Sequence, residues 1–146
     1  MPHVERKGKV DAAPPEAFAF VADRGHAPEW VPNLTRVWDL EPREPQVGQR
    51  WKWEYELLGM SFEGEGEMTE LEPGRRCRFR TKGLLASTWT YTVEPADGGS
   101  EVTVAVDYEL PDTLWGRIGD RVAFARMNEG QAEKLIANLQ RRFARR

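Results

Sequence analysis

Aromatic side chains that carry one hydrogen-bonding group recur at alternate positions in the middle of the sequence. Trp51, Trp53 and Tyr55 form one such series, and Trp89 and Tyr91 form another. A buried indole N–H or phenol O–H needs a hydrogen-bond partner, whereas the ring itself favours apolar neighbours. Side chains of this kind are suited to enclosing a largely apolar small molecule that has one polar end.

The candidate ligand-binding residues are mostly aromatic, with methionines that adapt to irregular shapes and two glycines. In chain order they are Trp30, Trp51, Trp53, Tyr55, Met60, Phe62, Gly64, Gly66, Met68, Phe79, Ser87, Trp89, Tyr91, Phe124 and Met127. Gly64 and Gly66 fall on the inward face of one strand, where a side chain would otherwise fill space. We therefore expect a cavity at this place, and we expect Gly66→Phe to fill it and abolish ligand uptake. A filled core is the alternative interpretation.

No catalytic or metal-binding constellation emerges from the other reactive residues. The chain has one Cys and two His, which excludes an internal disulfide and a cysteine-based metal site. Cys77 alternates onto the apolar face, where a buried and unreactive thiol is expected. His26 lies between two short predicted helices and is interpreted as a helix-end histidine rather than a ligand contact. The strand carboxylates alternate onto the opposite face, so we expect binding without catalysis, and no metal or cofactor.

The stretch that carries most of these residues alternates between apolar and charged side chains with a period of two, which is typical of strands with one wet face. The segments that follow this pattern are residues 50–57, 60–69, 76–82, 87–93 and 102–110. Glycine-containing turns separate them, so together they predict one curved antiparallel sheet of hairpin-linked strands. Residues 4–10 form a further candidate strand, whose charges suggest a sheet edge.

Helical spacing of apolar residues flanks the predicted sheet on both sides. Pro14 and Pro15 open a short first helix that Gly25 ends as a C-cap, and residues 26–31 suit a second short helix. Residues 112–146 predict one long C-terminal helix that covers the apolar face of the sheet. Its apolar stripe consists of Leu114, Ile118, Val122, Ala125, Ala132, Leu135, Leu139 and Phe143. The expected fold class is therefore α+β.

The composition is that of a globular chain and limits its partners. Of 146 residues, 40% are hydrophobic and 31% are charged, which suits one domain over residues 1–146 with a buried core. The outer faces of two neighbouring strands carry opposite charges, Glu63, Glu65 and Glu67 against Arg76, Arg78 and Arg80. With a net charge of -3, these ion pairs argue against a nucleic-acid partner. No apolar run approaches the ~20 residues of a membrane span and no signal peptide is visible, which predicts a cytoplasmic protein and leaves transient membrane contact open.

Landmarks along the whole chain resemble those of a known family. Residues 10–23 (VDAAPPEAFAFVAD) resemble an opening strand, an Ala-Pro step and a first helix that ends in Asp. The segment WVPN at residues 30–33, a Gly48 turn into an aromatic strand and the long terminal helix then follow in the same order. The chain is similar to the START-like superfamily, which includes the SRPBCC, polyketide cyclase/dehydrase and lipid-transport proteins. This resemblance implies a helix-grip fold, in which a bent antiparallel sheet wraps the terminal helix and the cavity between them holds an apolar molecule.

Three functions are consistent with the residues and with the resemblance. The first is non-catalytic binding or carriage of a lipid-like, sterol-like or polyketide-like molecule, with residues 26–31, residues 83–85 and the start of the last helix around the cavity mouth. The second is a polyketide cyclase or dehydratase that uses the same cavity, which would require an ionisable side chain inside it. The third is a protein-interaction module like the ribosome-associated or quinone-chaperone branch of the superfamily. The sequence leaves the oligomeric state open.

Overall fold

The computed structural model describes residues 3–57, 59–83, 86–109 and 121–144. The elements in chain order are β1 (His3–Val10), α1 (Pro14–Ala22), a 3₁₀ helix (Arg24–Glu29), β2 (Leu34–Glu41), β3 (Arg50–Leu57), β4 (Met60–Glu72), β5 (Arg76–Lys82), β6 (Ala86–Ala96), β7 (Gly99–Glu109) and α2 (Arg121–Arg142). Predicted features that fall outside the described part of the chain are Leu84, Leu85, Leu114 and Ile118, and the side chains of Val122, Phe124, Ala125 and Met127. None of the helices described carries an apolar stretch long enough to cross a membrane.

Seven strands form one antiparallel sheet in the order β1-β7-β6-β5-β4-β3-β2. Strands β3 to β7 are the hairpin-linked series that the period-two pattern predicts, and β1 lies at the predicted edge. Alternation decides which face is buried. In β7, every second residue from Ser100 to Tyr108 is buried, and the residues between them are partly exposed. The expected α+β architecture, with a curved antiparallel sheet, short helices after the first strand and a C-terminal helix, is confirmed.

Strand β2 forms the opposite edge of the sheet and is not predicted by the sequence pattern. It pairs with β3, but register shifts between Leu34 and Arg36 and between Trp38 and Glu41 interrupt its alternation. As a result the adjacent residues Val37 and Trp38 are both half-buried, which a regular two-residue period does not give. A strand with such irregularities is not detected when the sequence is searched for strict alternation.

The short helices differ from the prediction in where they begin and end. Helix α1 ends at Ala22 with Asp23 as its C-cap, rather than through a cap at Gly25. The Asp23 carboxylate accepts a hydrogen bond from the Gly25 backbone N–H (3.0 Å) and thereby caps the 3₁₀ helix. The second helix therefore covers residues 24–29 instead of 26–31. This earlier start places Arg24 on the inner side of the molecule, where it is buried.

Helix α2, which the apolar stripe predicts to cover the apolar face of the sheet, packs against the sheet at its β1 edge. From residue 129 onward, where its side chains are described, the buried ones are Ala132, Leu135, Ile136 and Leu139. A Cβ atom on Gly8 of β1 would lie 2.5 Å from Ile136 Cγ2, so the helix lies directly against the strand backbone. The Asn138 amide donates a hydrogen bond to the Trp30 carbonyl oxygen (3.0 Å), which ties the helix to the segment after the 3₁₀ helix.

The outer face of the sheet carries exposed ion pairs, although the pairing differs from the prediction. A register shift between Met68 and Glu70 displaces the acidic series of β4 along β5. Glu67 lies opposite Arg80 as expected, whereas Arg78 lies opposite Glu70 and contacts it at 3.0 Å. Exposed pairs of this kind stabilise a solvated face only modestly.

Candidate functional site

A cavity of about 60 Å³ lies on the inner face of the sheet, between the central strands and the 3₁₀ helix with the residues that follow it. Its lining is mainly aromatic and aliphatic and consists of Arg24, Val31, Leu34, Val37, Trp51, Trp53, Tyr55, Phe79, Thr81, Ser87, Trp89, Tyr91 and Tyr108. Pockets for drug-sized ligands usually measure ~300–1,000 Å³. This cavity therefore has room for a small chemical group or a few water molecules as it stands.

Indole rings form the wall of the cavity that faces β4. Trp53 lies opposite Gly64 and Trp51 opposite Gly66 in the register of β3 with β4. A Cβ atom on Gly64 would lie 2.4 Å from Trp53 Cζ2, and one on Gly66 would lie 2.3 Å from Trp51 Cε2. The expectation that these glycines border open space, which Gly66→Phe would fill, is therefore wrong. The two indoles already occupy that space, and the glycines allow them to lie against the strand.

The cavity brings together a part of the candidate ligand-binding residues. Those that line it are Trp51, Trp53, Tyr55, Phe79, Ser87, Trp89 and Tyr91. Those that lie in the surrounding core or on the neighbouring strand β4 are Trp30, Met60, Phe62, Gly64, Gly66 and Met68. The side chains of Phe124 and Met127 lie outside what the structure describes. The lining residues that the candidate set lacks are Arg24, Val31, Leu34, Val37, Thr81 and Tyr108.

Arg24 is the one charged side chain that lines the cavity among the described residues, and only 3% of it is exposed. Its guanidinium carbon lies over the Phe79 ring, 4.4 Å from the ring centre, and 5.0 Å from the centre of the Tyr91 ring. One terminal nitrogen donates to the Val21 carbonyl oxygen, whereas Nε is buried without a hydrogen-bond partner among the described residues. Sequence reasoning misses this residue, because an arginine in a polar turn between two helices resembles a surface residue.

The other polar groups of the cavity fall into two sets. Trp53 Nε1 and the Tyr91 hydroxyl are buried without a hydrogen bond of normal geometry to a described residue, although the Arg24 guanidinium lies close enough to the Tyr91 hydroxyl to oppose the rise of its pKa. In contrast, Trp89 Nε1 donates to Ser87 Oγ (2.8 Å), and the Ser87 and Thr81 hydroxyls lie 2.6 Å apart. The unused hydrogen-bonding capacity therefore belongs to Trp53, Tyr91 and the guanidinium, while the Thr81 and Ser87 hydroxyls bond locally.

Burial keeps the phenols and the thiol around the cavity neutral. It raises the pKa of Tyr91 to about 12, against the nearby charge of Arg24, and it raises the pKa of Tyr55 to about 12. It also raises the pKa of Cys77 to about 11, as suits a buried and unreactive thiol. No Asp, Glu or His among the described residues lines the cavity. At neutral pH this part of the site offers hydrogen-bond donors and one fixed positive charge.

His26 lies on the outer side of the 3₁₀ helix and does not line the cavity. Its exposed ring forms a hydrogen bond with Glu29 and lies 3.6 Å from an Asp23 carboxylate oxygen. The hydrogen bond with Glu29 and the charge of Asp23 raise the pKa of His26 above its usual 6.5. This position agrees with a helix-end histidine. Within the described segments, no group of His, Cys, Asp and Glu side chains converges as a metal site would require.

Comparison with known proteins relates this arrangement to a family. The sequence matches the family model described as “Polyketide cyclase / dehydrase and lipid transport” over residues 1–144. No curated protein matches the sequence.

Solved structures with the same fold cover nearly the whole chain. A Thermus thermophilus protein superposes with a TM-score of 0.80 at 20% identity, with 97% of each chain covered. The Zhui aromatase/cyclase of Streptomyces sp. R1128 superposes with a TM-score of 0.76 at 16% identity, with 99% of this chain and 94% of that one covered. A START superfamily protein of Mycobacterium smegmatis gives 0.74 at 14% identity, with 97% and 96% covered. At these identities the likeness shows the fold alone, which is the START-like helix-grip fold.

Proposed function

The chain belongs to the polyketide cyclase/dehydrase and lipid transport family, and from that premise we propose that it binds a small, largely apolar molecule in the cavity beside the 3₁₀ helix. The observation that carries this proposal is an aromatic lining that leaves space unfilled inside an otherwise packed core. Protein interiors are packed as densely as organic crystals, so an unfilled space forfeits contacts that a ligand would restore.

Binding occurs by enclosure of apolar surface. Each Å² of apolar area removed from water contributes ~25 cal/mol, and the indoles of Trp51, Trp53 and Trp89 offer flat faces to a ring. Leu34 and Val37 of β2 line the cavity and are half-buried, so they mark the side on which a ligand enters. Because the present volume admits only a small group, a larger ligand enters by displacing the residues that cover this side.

A direct experiment identifies the ligand. The protein is purified natively and extracted with organic solvent, and the extract is analysed by mass spectrometry. In parallel, thermal unfolding is followed with fatty acids, sterols, quinones and flavonoids, and a ligand that binds the folded state raises Tm. Recovery of no compound, together with an unchanged Tm for every class, would contradict the proposal.

A pair of matched variants tests the entrance. Val37→Phe places a ring at the lip of the cavity and is expected to abolish the ligand-induced rise in Tm. Val47→Phe makes the same change at a residue that is 62% exposed and does not line the cavity, so the rise should persist. If both variants respond to ligand as the wild-type protein does, ligands do not enter at β2.

A cyclase- or dehydratase-type activity is the second candidate function, and the buried guanidinium favours it. In an intramolecular aldol condensation a water or hydroxide base removes an α-proton, and the enolate carbon attacks a carbonyl carbon whose C=O π bond opens to an oxyanion. The oxyanion takes a proton, and the resulting hydroxyl then leaves as water with a second α-proton. A fixed cation beside the developing oxyanion lowers the barrier of such a step. Arg24 is the described residue that could supply this cation. The shared fold of the Streptomyces aromatase/cyclase adds an analogy to this reasoning.

A synthetic poly-β-ketone distinguishes catalysis from carriage. Catalysis predicts a cyclised product that has lost water, formed at a rate that Arg24→Met lowers by about a hundredfold, the usual effect of removing one oxyanion donor. Carriage predicts that the ketone is bound and recovered unchanged. Mass spectrometry of the incubated mixture reads both outcomes.

A further inference from the structure

Three buried polar groups, each on a residue that lines the cavity, have no hydrogen-bond partner of normal geometry among the described residues, and all three can donate. They are Arg24 Nε, Trp53 Nε1 and the Tyr91 hydroxyl. Buried donors without an acceptor are rare in folded proteins, because such a group has lost its bonds to water. We infer that the ligand of the proposed site carries an oxyanion at its buried end, as an aromatic carboxylate does, and that Arg24 is its counter-ion. This inference rests on the proposed function and adds the chemical class of the ligand.

The charge of Arg24 leads to the same conclusion. Its side chain is buried, and no described carboxylate lines the cavity with it. Arginines are almost never fully buried unless they are paired, since an uncompensated charge is costly to remove from water. Arg36 provides the contrast, because it also lies over a ring, that of Trp38 at 3.9 Å, but is exposed and pairs with Glu54 and Glu63. Stacking on a ring therefore does not explain why Arg24 is buried without a carboxylate from the described part of the chain beside it.

The guanidinium is held in position by the protein itself. It lies over the rings of Phe79 and Tyr91, and its bond to the Val21 carbonyl oxygen restrains it from the α1 side. Phe79 in turn stacks on Trp89, with ring centres 6.0 Å apart. The titratable groups that sense this charge, Cys77 and Tyr91, are neutral and supply no competing anion. A donor set that is already in place lowers the conformational cost of binding.

Two probes of nearly equal shape separate the effect of charge from that of shape. 2-Naphthoate and 2-naphthamide are each titrated into the wild-type protein, and binding is followed by tryptophan fluorescence and by the side-chain N–H signals of ¹⁵N-labelled protein. Naphthoate is expected to bind at least about tenfold more tightly, because charge-assisted hydrogen bonds are the stronger ones. It should also shift the Arg24 Nε–H and Trp53 Nε1–H signals, which a purely structural arginine would not show.

The outcomes distinguish this inference from the proposed function. Equal affinity of the two probes, or binding of neutral molecules alone, overturns the oxyanion assignment and leaves the proposed function in place. Failure of both probes and of every neutral ligand overturns the proposed function, and the oxyanion site with it.

Variants of two stacked arginines complete the test. Arg24→Met is expected to bring the affinities for the two probes within about twofold of each other, whereas Arg24→Lys keeps the charge and should keep a preference for naphthoate. Arg36→Met changes the exposed arginine and should keep the full wild-type preference. A preference for naphthoate that survives Arg24→Met overturns the inference. The two probes on the wild-type protein remain decisive if Arg24→Met does not fold.

Discussion

The inner face of the sheet has two halves that are packed in different ways. In the half under α1 and α2, β7 presents valines, and Val102 and Val104 are each 1% exposed. In the half beside the 3₁₀ helix, β3, β5 and β6 present aromatic rings and leave a cavity of about 60 Å³. Branched aliphatic chains fill space closely, whereas tilted rings with polar tips leave gaps that need a partner. One alternating pattern therefore builds a core in the first half and a candidate binding site in the second.

The largest effect is expected in the packed half. Leu139 of α2 is fully buried, and Leu139→Ala should lower the free energy of unfolding by about 2–5 kcal/mol because the side chains around it cannot close the hole. Chemical denaturation measures this change. The response to ligand should persist, since Leu139 does not line the cavity. A loss below about 1 kcal/mol would mean that both halves tolerate empty space equally.

A smaller effect is expected where the indoles lie on β4. A Cβ atom on Gly64 would lie 2.1 Å from the Lys82 carbonyl oxygen and close to the Trp53 ring, so Gly64→Ala should lower the free energy of unfolding by about 1–3 kcal/mol. Gly130→Ala is the matched control, because a Cβ there meets nothing within 4 Å and α2 should gain about 0.5–1 kcal/mol. Denaturation curves compare the two. If Gly64→Ala and Gly130→Ala gave similar denaturation curves, the groups around Gly64 would be able to shift and accommodate the added methyl group.

Arg24 is expected to cost stability rather than provide it. Arg24→Met should leave the free energy of unfolding unchanged or raise it by about 1 kcal/mol, because a buried charge that no described carboxylate accompanies in the cavity lining is replaced by an apolar chain of similar length. Arg36→Met, on the exposed face, should change it by less than about 0.5 kcal/mol. If Arg24→Met lowered the free energy of unfolding by more than about 2 kcal/mol, the arginine would be stabilising the position of the 3₁₀ helix.

The smallest effect is expected on the outer side of the 3₁₀ helix. Folding raises the pKa of His26 through Glu29 and Asp23, so the folded state holds this proton more tightly than the unfolded state. The resulting stabilisation is complete below the unfolded pKa of about 6.5 and is lost as pH rises through the folded value. His26→Gln should remove that part of the pH dependence of Tm. The change is small because the pair is exposed, and an unaltered pH profile would mean that the pair forms only weakly in solution.

The strands that carry the site are predictable because alternation is a local property. Each of β3 to β7 shows in its own residues which face is apolar, so the inward direction of Trp51, Trp53 and Tyr91 follows from the sequence. Strand β2 is not predictable in this way. Two register shifts break its period, so that the adjacent residues Val37 and Trp38 are both half-buried.

The shape of the site is less predictable because it depends on contacts between elements. The sequence indicates that Gly66 faces inward, but only the register of β3 with β4 shows that Trp51 lies over it. Arg24 is buried at the first position of the 3₁₀ helix, directly after Asp23, which ends one helix and caps the next. Neither feature can be predicted from the type of the residue itself or from the apolar periodicity of its own segment.

The location of the single cysteine has a practical consequence. Cys77 is fully buried and lies opposite Tyr91 in the pairing of β5 with β6, at the floor of the aromatic half. A thiol-specific reagent can reach it only when the protein opens transiently, so the labelling rate counts those openings in the unmutated chain. A molecule that occupies the site will slow labelling in step with its occupancy. The labelling rate of Cys77 therefore reports how often this half opens and what fraction of the sites is occupied.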